Sequence, residues 1–167
     1  MQRGPRDDGS VGKLWDMIKD IQVCMMTTID DDGTLRARPM WVAQKEFDGD
    51  LWFFTRASSH KVSEVGQYRQ VCLAFAEPKR QDYVSVSGEA GLVRDKARAK
   101  EHWSEWLKTW FPNGLDDPDL ALLRVRVEKA EYWDAPSSAM VHLYGYVKSR
   151  VTGEPPHPGE NEKVGMG

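Results

Sequence analysis

The spacing of hydrophobic residues changes along this chain and divides it into short elements. Leu14, Ile18 and Ile21 recur at intervals of four and three, which predicts an amphipathic helix over residues 11–22. The next segment, VCMMTTI at Val23–Ile29, is rich in β-forming residues and contains no turn residue, so it predicts a buried strand. Most of the elements that follow have this second pattern.

Turn residues separate the predicted strands. Residues 31–33 and 48–50 read DDG and DGD, which are hairpin sequences because glycine adopts the positive φ that such turns require. Further strands are predicted over residues 35–42, 51–55, 70–76, 82–93 and 121–134. Gly88 and Gly91 predict bulges or bends. This pattern favours a mainly β fold, an antiparallel barrel with helices at its periphery.

Two helices are predicted between the strands. Ser59 is an N-cap residue for a helix over residues 59–68, with Val62 and Val65 on its inner face. Asp95 is the N-cap of a helix over residues 96–110. An apolar stripe on the second helix predicts core packing, with the alternative that its last residue faces a ligand; it consists of Ala99, Trp103, Trp106, Leu107 and Trp110.

The two ends of the chain have different predicted structures. Residues 1–10 are polar and predict a disordered leader, and residues 151–167, rich in Pro, Gly and Glu, predict a loose tail. A single domain is predicted over residues 11–150. Its last helix has Ser137 or Ser138 as the N-cap and an apolar face of Met140, Leu143, Tyr144 and Val147.

Composition and charge narrow the class of protein. A net charge of -3 argues against a nucleic-acid footprint, which needs a basic domain. No apolar run approaches the roughly 18 residues of a membrane span, and the polar N-terminus does not resemble a signal peptide. Cys24 and Cys72 lie in apolar runs without CxxC spacing, which predicts buried free thiols and a cytoplasmic location.

The predicted strand over residues 35–42 carries an unusual pair of arginines. Alternation along a strand places Arg36, Arg38 and Met40 on one face. Pro39, on the other face, cannot donate a ladder hydrogen bond, which predicts an edge, a bulge or a ligand-facing stretch. The arginine face therefore has two interpretations, a solvated surface or an anion site.

A second group of polar residues follows the 51–55 strand. Thr55 ends that strand, and Ser58, Ser59, His60 and Lys61 lie at the start of the next helix. A helix start attracts anions, so a lysine in the first turn is unfavourable unless an anion is bound there. Two exposed polar residues at 60 and 61 are the alternative. With the nearby aromatic residues, the group predicts a pocket for a phosphorylated, flat, aromatic ligand.

No strong catalytic motif accompanies this pocket. GxSxG, HExxH, Walker and GxGxxG sequences are missing, and the four histidines are isolated. The acidic turn at residues 115–119 is not followed by EF-hand spacing, so no metal site is predicted. A flavin would carry redox chemistry itself, without a protein nucleophile.

Several short sequences, in this order and spacing, carry a resemblance to a known family. They are RARPMWV at 36–42, LWFFT at 51–55, SSHK at 58–61, YVSVSGEA at 83–90, WSEWLKTWFPNGLDDPDLALLRV at 103–125 and AEYWDAP at 130–136. The chain resembles the general stress protein 26-like branch of the pyridoxamine 5'-phosphate oxidase-like, FMN-binding split-barrel proteins, over residues 14–136. The resemblance implies a six-stranded antiparallel split β-barrel and a homodimer with FMN at the subunit interface.

The resemblance also implies which residues bind the flavin: Arg38, Pro39, Met40, Trp41, Phe54, Thr55, Ser59, His60, Lys61 and Tyr83. His60 replaces an arginine that is usual in the oxidases. Their C-terminal substrate-binding arginine has no match here, so pyridoxamine oxidation is not implied.

The expected function is an FMN-binding, oxidoreductase-like stress protein of unknown substrate and unknown catalytic residues. The alternative is a non-enzymatic flavin carrier, buffer or redox sensor. FAD or a deazaflavin would suit the same pocket, whereas haem would require an axial histidine on a strand. A structural dimer with an empty pocket is the least specific interpretation.

Overall fold

The computed structural model describes residues 10–134 and 140–142. The helices are α1 (Ser10–Ile21), α2 (His60–Gln67) and α3 (Lys96–His102), followed by two short 3-10 helices at Glu105–Thr109 and Gly114–Asp116. The strands are β1 (Val23–Ile29), β2 (Leu35–Trp41), β3 (Asp50–Arg56), β4 (Gln70–Glu77), β5 (Asp82–Val93), β6 (Leu120–Trp133) and β7 (Met140–His142). Among the described residues, no helix is long and apolar enough to cross a membrane.

The sheet is antiparallel, with the strand order β2-β1-β4-β5-β6-β3. It curls until its two outer strands meet, where Val42 forms a bridge to Phe53 and the N–H of Ala43 donates to the carbonyl of Trp52 at 2.8 Å. The short β7 pairs with the far half of β6. This architecture is the split β-barrel that the family resemblance implies.

The core follows from the alternation of side chains along the strands. Val84 and Val86 of β5 and Val125 of β6 point inward and are buried. Leu14 and Ile18 of α1 belong to the same buried cluster, so the helix packs its apolar stripe onto the barrel. Cys24 is also buried, whereas Cys72 is half-buried, and both thiols are free.

One of the two glycines of β5 lies opposite a bulge, whose extra residue is Glu128 of β6. The register between β5 and β6 shifts between Ser87 and Gly88, and a Cβ atom at 88 would collide with the carbonyl oxygen of Arg126. Gly91, in contrast, pairs in register with Arg124 and has no atom close to where a Cβ would lie. Of the bulges or bends predicted at the two glycines, a bulge is found at Gly88, with its extra residue on β6, and none is found at Gly91.

The long helix predicted over residues 96–110 is wrong in its second half. Asp95 is the N-cap, accepting hydrogen bonds from the N–H groups of Ala97 and Arg98 at 3.0 and 3.2 Å. The helix ends at His102, because Trp103 and Ser104 adopt extended backbone angles, and a 3-10 helix follows. Ser104 lies at the N-cap position of the 3-10 helix without a side-chain capping hydrogen bond, and serine is less favourable in a helix interior.

The helix predicted after Pro136 is also wrong, because Met140–His142 forms the strand β7. β3 pairs only with the first part of β6, from Leu120 to Arg126, which leaves the backbone of the second part without that partner. β7 pairs with residues 131–133 there. The remainder of the predicted helix, the leader over residues 1–9 and the tail lie outside the described residues.

The outer face of strands β2, β1, β4 and β5 is largely apolar, with one charged residue, Glu89, towards one end of β5. Its members alternate with the buried residues of the same strands, and all of them are exposed or half-buried: Leu35, Ala37, Pro39, Trp41, Val23, Met25, Thr27, Ile29, Gln70, Cys72, Ala74, Ala76, Tyr83, Ser85, Ser87 and Glu89. We refer to these residues as the outer face.

Candidate functional site

A cavity of about 730 Å³ lies where the two outer strands of the sheet meet. Its walls come from the ends of β2 and β3, the start of α2, and the segment from α3 through the first 3-10 helix. Six of the ten site residues predicted from the sequence line it: Pro39, Met40, Trp41, Phe54, Thr55 and Lys61. Its volume lies within the range of roughly 300–1,000 Å³ that is usual for small-molecule sites.

Strand geometry explains how these residues reach the cavity. Along β2, Met40 points into the core and is buried, while Trp41 points outward and is 39% exposed. Thr55, at the end of β3, is buried. β2 pairs with β1 on one side only, which makes it an edge strand, as Pro39 predicts.

Three tryptophans form an open aromatic wall on the cavity. The Trp41 ring centroid lies 6.2 Å from that of Trp106 and 6.4 Å from that of Trp110. Trp106 and Trp110 are 44% and 56% exposed, so the predicted core packing is wrong for both. Trp110 instead lines the cavity, which agrees with the alternative that it faces a ligand.

The loop that carries the aromatic wall is held by polar contacts. Arg56 Nη2 donates to the carbonyl of Trp110 at 2.5 Å, and its guanidinium lies 5.1 Å from the ring centroid of Phe111. The backbone N–H and the hydroxyl of Ser58 donate to the carboxylate of Asp119 at 2.9 and 2.6 Å. Ser58 therefore fixes the β3–α2 junction instead of presenting its hydroxyl to the cavity.

The cationic end of the cavity contains Lys61. Burial lowers the pKa of the Lys61 ammonium, and the nearby positive charge of Arg38 lowers it further. Thr55 Oγ1 lies 3.3 Å from Ser59 Oγ, and the Ser59 side chain does not cap α2. A half-buried ammonium beside a repelling cation is stabilised when an anion binds next to it.

Arg38 is engaged in a closed ring of hydrogen bonds with two residues that the sequence analysis missed. Its Nη2 donates to Glu64 Oε2 at 2.7 Å, and its Nη1 donates to Thr28 Oγ1 at 2.6 Å. The Thr28 hydroxyl donates in turn to Glu64 Oε2. We refer to these three residues as the Arg38 ring. Glu64 and Thr28 are buried, at 0% and 1% exposed.

His60 belongs to the same network and not to the cavity lining. Its Nε2 lies 3.3 Å from Asp30 Oδ1 and 3.3 Å from Glu64 Oε1. Arg36 Nη1 lies 3.6 Å from Asp30 and 3.4 Å from Glu64. Asp30, His60 and Glu64 bring three potential ligand atoms together, but the two arginines already neutralise both carboxylates. The arrangement is therefore an ion-pair network.

Tyr83 lies apart from the cavity. It is 40% exposed on the outer face, opposite Ala76 of β4 and Trp133 of β6. Strands β1 and β4 separate it from Trp41 on β2. Three strand spacings of about 4.8 Å place the two backbones roughly 14 Å apart. Within one chain, the structure does not bring Tyr83 together with the other predicted site residues.

His102 is the histidine that lines the cavity. Burial lowers the pKa of its imidazole, which favours the neutral ring, and the ring stacks on Trp52 with centroids 5.7 Å apart. His102 Nε2 and Trp52 Nε1 are buried without a hydrogen-bond partner among the described residues. The sequence pattern did not single out His102. It predicted a helix that continues to Trp110, whereas α3 ends at His102.

The comparisons with known proteins agree with this architecture. A family model described as "Pyridoxamine 5'-phosphate oxidase like" matches residues 9–157. The protein bli-3 of Neurospora crassa is 28% identical over 158 residues, which cover 89% of this chain and 76% of that protein.

Solved structures resemble the chain as well. The general stress FMN/FAD binding protein of Xanthomonas citri is 31% identical, with a TM-score of 0.65, 77% of this chain covered and 91% of the other. A protein of Clostridium acetobutylicum related to general stress protein 26 has a TM-score of 0.70 at 17% identity, with 83% of this chain and 95% of the other covered, and shares the fold. These matches support the branch that the short sequences indicated. The chain belongs to the pyridoxamine 5'-phosphate oxidase-like family.

Proposed function

We propose that this protein binds FMN in the cavity and acts as an oxidoreductase-like flavoprotein. The observation that supports this most is the combination, in one cavity, of an aromatic wall and the partly buried ammonium of Lys61. An isoalloxazine ring is flat and aromatic, and a phosphate monoester carries roughly two negative charges. The two ends of the cavity suit the two ends of this ligand.

The phosphate is assigned to the Lys61 end. Thr55 and Ser59 supply hydroxyls there, Lys61 supplies a compact charge, and Arg38 contributes a second positive charge close to Lys61. His60, in contact with Asp30 and Glu64, borders the same helix start. The N–H groups of a helix start and the charge of a lysine both favour phosphate binding.

The ring is assigned to the β2 and β3 ends. Pro39, Met40 and Trp41 belong to an edge strand, and Phe54 lies on the neighbouring wall with its ring 5.7 Å from Trp103 in an edge-to-face contact. The X. citri relative is named for FMN and FAD, so both flavins belong in the binding assay. Bound flavin supplies hydride and electron transfer chemistry.

We further propose a homodimer that pairs the outer faces of two chains. A largely apolar face with Met25 43%, Leu35 71% and Trp41 39% exposed is typical of a surface that a partner covers. In an isologous dimer, Tyr83 of the partner subunit approaches the rim at Trp41, which would unite the predicted site residues that one chain keeps apart.

Flavin binding is tested by the absorbance of the purified protein and by titration with FMN, FAD and riboflavin, monitored by flavin fluorescence. We expect saturation at one FMN per chain and weaker binding of riboflavin, which has no phosphate. A protein that binds none of the three would contradict the proposed cofactor. Reduction of the bound FMN by NADH or NADPH, followed by reoxidation, would separate an oxidoreductase from a flavin carrier.

The dimer is tested by light scattering after size-exclusion chromatography. Met25→Glu places a charge at the outer face and should produce a monomer with weaker FMN binding. Tyr68→Glu is the matched control, because Tyr68 is 46% exposed but lies at the end of α2, away from that face. A wild-type monomer that binds FMN fully would rule out the interface.

A further inference from the structure

Glu64 is the most unusual residue near the cavity, because it is a completely buried carboxylate on a short helix. We propose that Glu64 is a positioning residue for the phosphate end of the site, acting through Arg38. This inference rests on the proposed function. It assigns a role to a residue that does not line the cavity and that the family resemblance did not single out.

Packing alone does not require an ionised side chain at this position. Val65, the next residue of α2, is buried and apolar, and an apolar residue at 64 would pack in the same layer. Replacing a buried ion pair with apolar residues is often neutral or stabilising, because ion pairs lose hydration on burial. The carboxylate therefore suggests a requirement for a defined charge geometry.

The Arg38 ring supplies that geometry. Glu64 Oε2 and Thr28 Oγ1 each accept from a different terminal nitrogen of Arg38, so the guanidinium is held at two points. Fixing a free arginine side chain costs rotamer entropy. Because residues of the chain itself hold Arg38, that cost does not fall on the binding of a ligand.

Lys61 connects the ring to the cavity. The positive charge of Arg38 lowers the pKa of Lys61, while Glu64 acts in the opposite direction. Two cations are therefore close enough to influence each other, and Glu64 supplies the opposite charge that keeps them together without a ligand. An anion beside Lys61 would interact favourably with both cations.

The test compares the dissociation constants of FMN and riboflavin, because their ratio isolates the phosphate. Glu64→Gln keeps the shape and removes the charge, and we expect it to weaken FMN by about tenfold or more and riboflavin by less than about twofold. Thr28→Val, which removes the second anchor of Arg38, should give a smaller change of the same kind. Lys19→Met, which removes an exposed ion pair with Asp16 on α1, is the control and should leave the ratio unchanged.

A double mutant tests whether Glu64 acts through Arg38. If Glu64 acts through Arg38, Glu64→Gln should not change the FMN-to-riboflavin ratio further in an Arg38→Met background. Equal weakening of both flavins by Glu64→Gln, an unchanged ratio, or tighter FMN binding would overturn the inference. If Glu64→Gln does not fold, a phosphate-selective loss in Thr28→Val supports the proposal and its absence refutes it.

The wild-type result separates this inference from the proposed function. Wild-type protein that binds neither flavin, or that binds FMN no better than riboflavin, contradicts the phosphate assignment itself. Wild-type protein with a strong FMN preference that Glu64 and Thr28 variants leave intact supports the cofactor and refutes only the role of Glu64.

Discussion

The aromatic wall and the Arg38 ring differ in how their side chains are held. Trp41, Trp106 and Trp110 are substantially exposed, and Trp41 contacts each of the other two at a tilted angle. In the Arg38 ring, Glu64 and Thr28 are buried and hydrogen bonds close a circuit of three side chains. The wall offers apolar surface to any flat molecule, whereas the ring defines one position for one charge. Affinity for a ring system and selectivity for a phosphate should therefore respond to different substitutions.

The largest effect is expected on stability, when the Arg38 ring loses its cation. Arg38→Met leaves the carboxylate of Glu64 buried with weaker partners, and removing one partner of a buried pair costs about 3–5 kcal/mol. Urea denaturation followed by tryptophan fluorescence measures the change. The control, Arg36→Met, removes a side chain that is 51% exposed and should cost less than about 1 kcal/mol. Similar losses in both variants would show that the two arginines are equivalent.

The next largest effect distinguishes the two ends of the cavity by comparing the binding of FMN and riboflavin. Lys61→Ala removes the ammonium at the cationic end and should weaken FMN binding by about 1.5–3 kcal/mol, the usual contribution of a hydrogen bond to a charged group. Riboflavin binding should hardly change. Isothermal titration with both flavins provides the comparison, and a parallel loss for riboflavin would place Lys61 beside the ring system instead.

A substitution in the aromatic wall should weaken the binding of both flavins, unlike Lys61→Ala. Trp41→Ala is expected to weaken FMN and riboflavin by the same factor, about 0.5–1.5 kcal/mol from lost aromatic contact. Trp15→Ala is a useful control, because Trp15 stacks on Phe47 and does not line the cavity. Fluorescence titration is sufficient for both. A selective loss of FMN alone in Trp41→Ala would contradict the division between the two ends.

The smallest effect is a dependence of FMN affinity on pH. Because burial and Arg38 lower the pKa of Lys61, its positive charge is lost at a lower pH than that of an ordinary lysine. FMN affinity should therefore decline as pH rises through this pKa, and riboflavin affinity should not follow. Titrations at increasing pH test this, with Lys61→Arg as the control, since arginine keeps its charge throughout.

The sequence predicts the strands because these depend on local alternation. The family resemblance implies that Phe54, Thr55 and the segment from Pro39 to Trp41 belong to one site, and the structure places them on one cavity. The Arg38 partner was not predicted, since Glu64 is 26 residues away and reaches β2 only when α2 docks on the sheet. The sequence did contain a signal for this partner, because Arg38 shares a strand face with Met40 and an arginine that is withdrawn from solvent is usually paired with a carboxylate.

Periodicity also did not distinguish buried from exposed aromatic residues. Leu107 is buried, but Trp106 and Trp110 in the same predicted stripe are exposed, because the segment changes from an α-helix to a 3-10 helix and rotates the stripe. β7 was predicted as a helix because local periodicity does not show which strand edges are available for pairing. Its strand depends on an available edge of β6, which is a property of the assembled sheet.

The two glycines of β5 have different consequences for how this sequence tolerates change. At position 88 the carbonyl oxygen of Arg126 occupies the space that any side chain would need, whereas at position 91 that space is open. A library of all substitutions at both positions should therefore return folded variants freely at 91 and almost none at 88. Within one strand, the same residue type is an obligatory part of the barrel at one position and an incidental choice at the other.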